Sequence, residues 1–245
     1  MNNIINDKKA DYFLPASIII AALFIAGAWI YTGGAKNNIN ANKEKAATNI
    51  GVVADNALAV LENVKSIDKN EHIRGSQNAF VKIIEFSDLE CPYCKIFHQT
   101  MRQILAEYSG KVAWVYRHYP IEQLHSKAKK SAEAAECAAE LGGNEKFWNF
   151  IDQYFSITPS NDQMDMSKLP EIAAAIGLNR GQFEACLESG KYNQKIENQI
   201  KEAVASGAKG TPYSVIFGKN GKKYPVSGAY PYTDVKAIID EALKE

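Results

Sequence analysis

Ala79–His98 reads AFVKIIEFSDLECPYCKIFH. Its first eight residues form a nearly continuous apolar run rich in β-branched side chains, the pattern of a strand buried inside a sheet. Ser87-Asp88-Leu89-Glu90 then turns the chain into Cys91-Pro92-Tyr93-Cys94. Beyond the second cysteine, Ile96, Phe97, Met101, Ile104, Leu105 and Tyr108 recur at helical spacing, and Gly110 ends the pattern. A C-x-x-C pair between a strand and a helix reads as a redox motif. The helix start presents unpaired amides and the positive end of the macrodipole, both of which favour a thiolate. Pro92 suits the first turn, where its missing N–H costs nothing. The spacing therefore predicts an exposed, low-pKa nucleophile at Cys91 and a resolving thiol at Cys94, one turn further in. Zinc is the alternative for such a pair, with His98 as an imaginable third ligand, but Cys137 and Cys186 stand singly and supply no second pair.

The chain around this motif has 245 residues, with 28 Lys+Arg against 28 Asp+Glu and 46% apolar residues. Its neutrality excludes a nucleic-acid partner, which needs clustered surplus cations. Four cysteines are too few for a small disulfide-stapled scaffold. Tyr12–Tyr31 (YFLPASIIIAALFIAGAWIY) carries no charge and is long enough, at about 20 helical residues, to cross a bilayer. Tyr12, Trp29 and Tyr31 stand at its ends, where aromatic rings prefer the interface, and Lys8 and Lys9 precede it. The expectation is a single membrane anchor over 12–31 behind a short cytoplasmic N-terminus, 1–11, with the catalytic part on the extracytoplasmic side. A cleaved signal peptide ending near Gly33-Gly34-Ala35 is the alternative. Residues 32–67 read as a linker or stalk. Ala46, Ile50, Val53, Ala57, Val60 and Val64 form a heptad-like stripe within it, suited to an amphipathic helix on the domain or to a dimerising stalk.

The run VKIIEFSDLECPYCKIFH resembles the active-site segment of DsbA-like thiol-disulfide oxidoreductases. The similarity extends over about residues 68–245, with HIRG (His72–Gly75) before the strand and GTPY (Gly210–Tyr213) late in the chain. It implies an α/β, thioredoxin-like fold with an inserted α-helical subdomain, here about 121–208, behind the one N-terminal transmembrane helix that the apolar run 12–31 predicts. It also implies that Pro212 is a cis-proline facing the cysteines and that the Thr211 backbone pairs with a bound peptide. Glu85, six residues before Cys91, matches an acidic residue that similar proteins hold behind the disulfide. Buried there, it would exchange a proton with Cys94; on an edge strand it would merely face water. Asp88 and Glu90 read as turn residues whose charge opposes the helix dipole. The Pro92-Tyr93 pair departs from the Pro-His of strongly oxidising members and is shared with glutaredoxins.

Outside the motif, Lys111–Tyr119 alternates as a strand, and His125–Leu141 is an Ala-rich helix stopped by Gly142-Gly143. Asn144 is placed to cap the next helix. Three helices follow at about 168–176, 180–189 and 191–207. Strands at about 213–218 and 222–227 then join through Asn220-Gly221, and a last helix begins near Pro231. The order is β-α-β, helices, β-β-α. Cys137 and Cys186 fall on different insertion helices, in AECA and ACL contexts that the resemblance implies form a structural disulfide; two free thiols or a second redox couple are the alternatives. His72, His118 and His125 read as surface or internally satisfied side chains. The expected activity introduces disulfides into reduced, exported proteins through Cys91 and Cys94, with no metal or organic cofactor. The resemblance implies a quinone-linked membrane thiol oxidase as redox partner. A reductase or isomerase on the same fold, and a redox-inactive binding or chaperone module, are the competing readings.

Overall fold

The computed structural model of the protein describes residues 60–244. The expected anchor at 12–31 and most of the stalk stripe lie outside the described residues. No helix among the described residues is long and apolar enough to cross a membrane.

Five strands form one sheet: β1 (His72–Gly75), β2 (Val81–Ser87), β3 (Val112–His118), β4 (Tyr213–Phe217) and β5 (Lys223–Ser227), in the order β1-β3-β2-β4-β5. Only β2 and β3 run parallel, and helix α1 (Pro92–Glu107) makes the crossover that a parallel pair requires. The HIRG segment, read as preceding the first strand, is itself the edge strand β1, antiparallel to β3. Four residues are too few for an alternation to show in sequence.

Both faces of the sheet are covered, so β3 is buried at every position from Val112 to His118. The alternation along Val112–His118 therefore separates two buried faces. On one face Val81, Ile83 and Trp114 pack with Phe97, Met101 and the last helix α6 (Tyr232–Leu243), through Val235 and Ile239. Fully burying each such side chain is worth about 1.5–3 kcal/mol. On the other face Ile84, Phe86, Val115 and Val215 meet Leu61, Val64 and Ala203. Val64 is the last residue of the stalk stripe, and Leu61 lies one turn before it. Leu61 and Val64 are 3% and 6% exposed, so the end of the linker packs against the sheet.

Between β3 and β4 lies the helical block: α2 (Ala128–Ile157), a short 3-10 turn (Met166–Lys168), α3 (Leu169–Ala175), α4 (Arg180–Ser189) and α5 (Asn193–Ala205). α2 breaks where the two glycines stand, Gly143 taking φ 73°. Asn144 does not cap the second half. Its side-chain amide instead clasps the backbone of Ile73, accepting from its N–H at 3.0 Å and donating to its carbonyl at 2.7 Å, and so ties α2 to β1. Cys137 on α2 and Cys186 on α4 are bonded sulfur to sulfur. Ile96, placed by its spacing on the buried face of α1, is exposed.

Candidate active site

Cys91 is the N-cap of α1, in extended conformation, and Pro92 follows at the first helical position. Cys94, three residues on, points inward and is fully buried, while Cys91 keeps 5% of its surface. The nucleophile is thus narrowly accessible rather than openly exposed as expected. The Thr211–Pro212 peptide bond is cis and brings the Thr211 carbonyl within 3.4 Å of the Cys91 Sγ, which donates to it. The Asp88 backbone N–H donates to Cys94 Sγ, also at 3.4 Å.

These surroundings push the two sulfurs apart in acidity. The Cys91 pKa falls from 9.0 to about 6, chiefly through the Cys94 thiol, against the cost of burial. The Thr211 side chain and the Cys94 and Tyr93 backbone groups add to the lowering. The helix start expected to dominate is therefore a secondary contributor. Burial pushes the Cys94 thiol up, and the neighbouring Cys91 and Glu85 charges raise it further.

Glu85 lies on the central strand β2, paired with Tyr116 on one side and Ser214 on the other. It is 1% exposed and accepts a 2.8 Å hydrogen bond from the Trp114 indole N–H. Alternation along β2 puts it on the face of Val81 and Ile83, which is the face α1 covers. Desolvation raises its pKa to about 7, so it holds and releases a proton near neutrality beneath the cysteines.

Asp88 and Glu90 stand in the turn before α1, as read, and both are buried. Asp88 is 1% exposed: its Oδ1 accepts from the Glu90 N–H at 2.8 Å, and its Oδ2 from the Ile121 N–H and the His125 Nδ1, each at 2.9 Å. Glu90 is fully buried and accepts from the Tyr154 hydroxyl, and burial raises its pKa. The histidines read as surface or satisfied are all buried: His72 meets Glu136 at 3.0 Å and His118 meets it at 3.2 Å. His98, the imagined zinc ligand, is engaged with Asp152 at 2.7 Å.

Beside Cys91 opens a groove of about 480 Å³, walled by Tyr93, Tyr119, Ile121, Leu124, His125 and Thr211. Tyr93 and Leu124 are 62% and 68% exposed, an apolar rim at the solvent edge of the nucleophile. Asp88, His125 and Trp114 entered this site without a sequence signal, because their partners stand 29 to 37 residues away along the chain.

Comparison with known proteins matches residues 67–241 to the family model described as Thioredoxin. The chain belongs to the thioredoxin family. Its form is that of the DsbA-like thiol-disulfide oxidoreductases. Among solved structures, DsbA2 of Pseudomonas aeruginosa is 26% identical with a TM-score of 0.61, over 74% of this chain and 98% of that one. The α-DsbA1 protein of Wolbachia pipientis is 25% identical with a TM-score of 0.61, over 72% and 92% of the two chains. BdbD of Bacillus subtilis, at 20% identity and TM-score 0.64 over 72% and 95%, shares the fold. A curated relative, the Na(+)/H(+) antiporter NhaA 3 of Salinispora tropica, is 32% identical over 71% of this chain. The chain spans about a quarter of the length of that antiporter, 25%. The thioredoxin-family core with helices between β3 and β4 is thus common to this chain and the DsbA proteins.

Proposed function

We propose that this protein is an extracytoplasmic oxidant that introduces disulfides into exported proteins, held at the membrane by residues 12–31. The observation that carries the reading is the opposed displacement of the two thiols: Cys91 down to about 6, Cys94 up. A stabilised Cys91 thiolate favours the reduced enzyme and therefore the transfer of oxidising equivalents to clients.

In the oxidising step a client thiolate attacks Sγ of Cys91 in the Cys91–Cys94 disulfide. The S–S bond breaks, a mixed disulfide forms at Cys91, and Cys94 leaves and takes up a proton, for which Glu85 is the nearby donor. A second client thiolate attacks the client sulfur of the mixed disulfide and expels Cys91 as thiolate. The client loses two electrons and the enzyme pair gains them. Pro92 and Tyr93 set the rim of the motif, and Thr211 with Pro212 offers backbone to the client strand, so that unfolded chains of many sequences are accepted. Cys137–Cys186 serves as a structural staple. Reoxidation falls to a membrane thiol oxidase linked to quinone, as the resemblance implies.

The test is a redox titration of Cys91–Cys94 against glutathione, paired with oxidation of a reduced, unfolded client by the pre-oxidised protein. The expected result is a potential clearly more oxidising than a reductase's, with client disulfides formed stoichiometrically. A potential near −270 mV with no client oxidation would overturn the proposal in favour of a reductase.

A further inference from the structure

The groove beside Cys91 contains one imidazole, which the thiol exchange leaves unused. His125, 7% exposed, lines that groove from the loop after β3. Its Nδ1 is held at 2.9 Å by Asp88 Oδ2, and the Asp88 carboxylate is itself fixed by the Glu90 and Ile121 amides. Asp88 thus ties together the turn that launches Cys91 and the loop that carries His125. A carboxylate accepting from Nδ1–H fixes the tautomer in which Nε2 carries the lone pair. That Nε2 makes no hydrogen bond to a described residue and is not among the sealed, unpaired polar atoms, so it meets the solvent of the groove.

We propose that His125, oriented by Asp88, is a catalytic acid–base for the client thiol at Cys91. The client enters the groove as R–SH. Its proton passes to His125 Nε2 as its sulfur attacks Cys91, the Cys91–Cys94 bond breaks, and the mixed disulfide forms with Cys94 as leaving thiolate. The imidazolium then stands beside Cys91 when that sulfur departs as thiolate under attack by the second client thiolate. The groove thereby brings an imidazole to the sulfur although no histidine stands between the cysteines, where this chain carries Pro92 and Tyr93.

The charged and titratable groups around the ring are Asp88 from the turn before α1, Asp162 from the segment after α2, and Cys91; Lys209 and Tyr119 line the same groove. Asp162 is engaged with the Ser126 and Lys127 amides at 2.7 and 3.0 Å. Burial works against protonation of His125, but Asp88, Cys91 and Asp162 outweigh it and raise its pKa above the ordinary 6.5.

The inference rests on Cys91 as the exchanging sulfur, and the experiment separates the two. Oxidised wild type and a His125→Asn variant, whose amide still donates toward Asp88, are each mixed with a reduced cysteine peptide, and single-turnover rates are followed from pH 6 to 8. The variant is expected to track peptide ionisation, rising about tenfold per pH unit, because the peptide thiol ionises near 8.5. Wild type is expected to be about tenfold or more faster than the variant and to level off above the His125 pKa, where the variant keeps rising, a modest general-base contribution. Rates within twofold of each other across that range overturn the role of His125 while leaving Cys91 intact. A wild type inert at every pH sinks both readings. A second measurement needs no variant: histidine NMR of the wild-type protein should show the His125 ring pKa higher in the reduced form, beside the Cys91 thiolate, than in the oxidised form. Equal values in the two forms overturn the proposal.

Discussion

The acidity of Cys91 sets how the potential of the cysteine pair must change with pH. Reduction of the disulfide consumes two electrons and, where both products are thiols, two protons. Its midpoint then falls by about 59 mV per pH unit. Above the Cys91 pKa of about 6, one product stays a thiolate and only one proton is consumed, so the slope halves to about 30 mV per unit. The raised Cys94 keeps that halved slope up to its own, much higher ionisation. The stabilisation of the reduced form follows the same sign. It is complete above the ordinary thiol value near 9, shrinks as pH falls and vanishes below about 6. At pH 7 it amounts to about 1.4 kcal/mol, one pKa unit's worth, or about 30 mV more oxidising than an unperturbed pair. The assay is a glutathione titration at half-unit steps from pH 4.5 to 8.5, with thiolate absorbance near 240 nm followed in parallel. The expected curve bends near pH 6, where half of the thiolate absorbance is lost. An unbroken slope of about 59 mV through pH 8 would refute a stabilised Cys91 thiolate, and with it the electrostatic basis for an oxidising enzyme.

Three further perturbations follow from the packing. Glu85→Gln removes a carboxyl whose folded pKa, about 7, exceeds its ordinary 4.5, so wild type bears a penalty absent below about pH 4.5 and full above about 7. The variant should be more stable by up to about 3 kcal/mol at pH 8 and unchanged at pH 4, read by urea melts at the two pH values, while release of Cys94 slows. Replacing Cys137 and Cys186 together by Ala opens a loop closed over 49 positions and should cost about 4 kcal/mol in the chain-entropy account, measured as a loss in denaturation midpoint with Cys91 reactivity retained. Arg117→Met strips the charge that Glu71, at 2.6 Å, and the buried Glu202 share. Two uncompensated carboxylates beneath β3 should cost about 3–5 kcal/mol, or a fall in Tm of about 10 °C by calorimetry.

The sequence by itself determined the exchange chemistry and most of the element order, because both are written in local signals. A buried-strand run, a C-x-x-C and a helical stripe lie within one stretch of about 30 residues, Ala79–Tyr108. The helices at Arg180–Ser189 and Tyr232–Leu243 and the hairpin at Asn220-Gly221 likewise follow from caps, turn residues and periodicity. Only the tertiary structure decided what surrounds the sulfur. The edge strand His72–Gly75 exists because β3 offers it a partner, and four residues of its own could not announce it. The same holds for Asn144, which forgoes a helix cap for the backbone of Ile73. Glu85 reads as a buried carboxylate with an edge strand as the alternative, and the choice is made only when β3 and β4 close on either side of it. Asp88 reads as a turn residue and His125 as a surface or internally satisfied side chain until the fold brings positions 37 residues apart within 2.9 Å. The physical reason is common to all of these: periodicity reports which face of an element avoids water, whereas the partner of a buried polar group is fixed by what packs across from it, and no local pattern carries that.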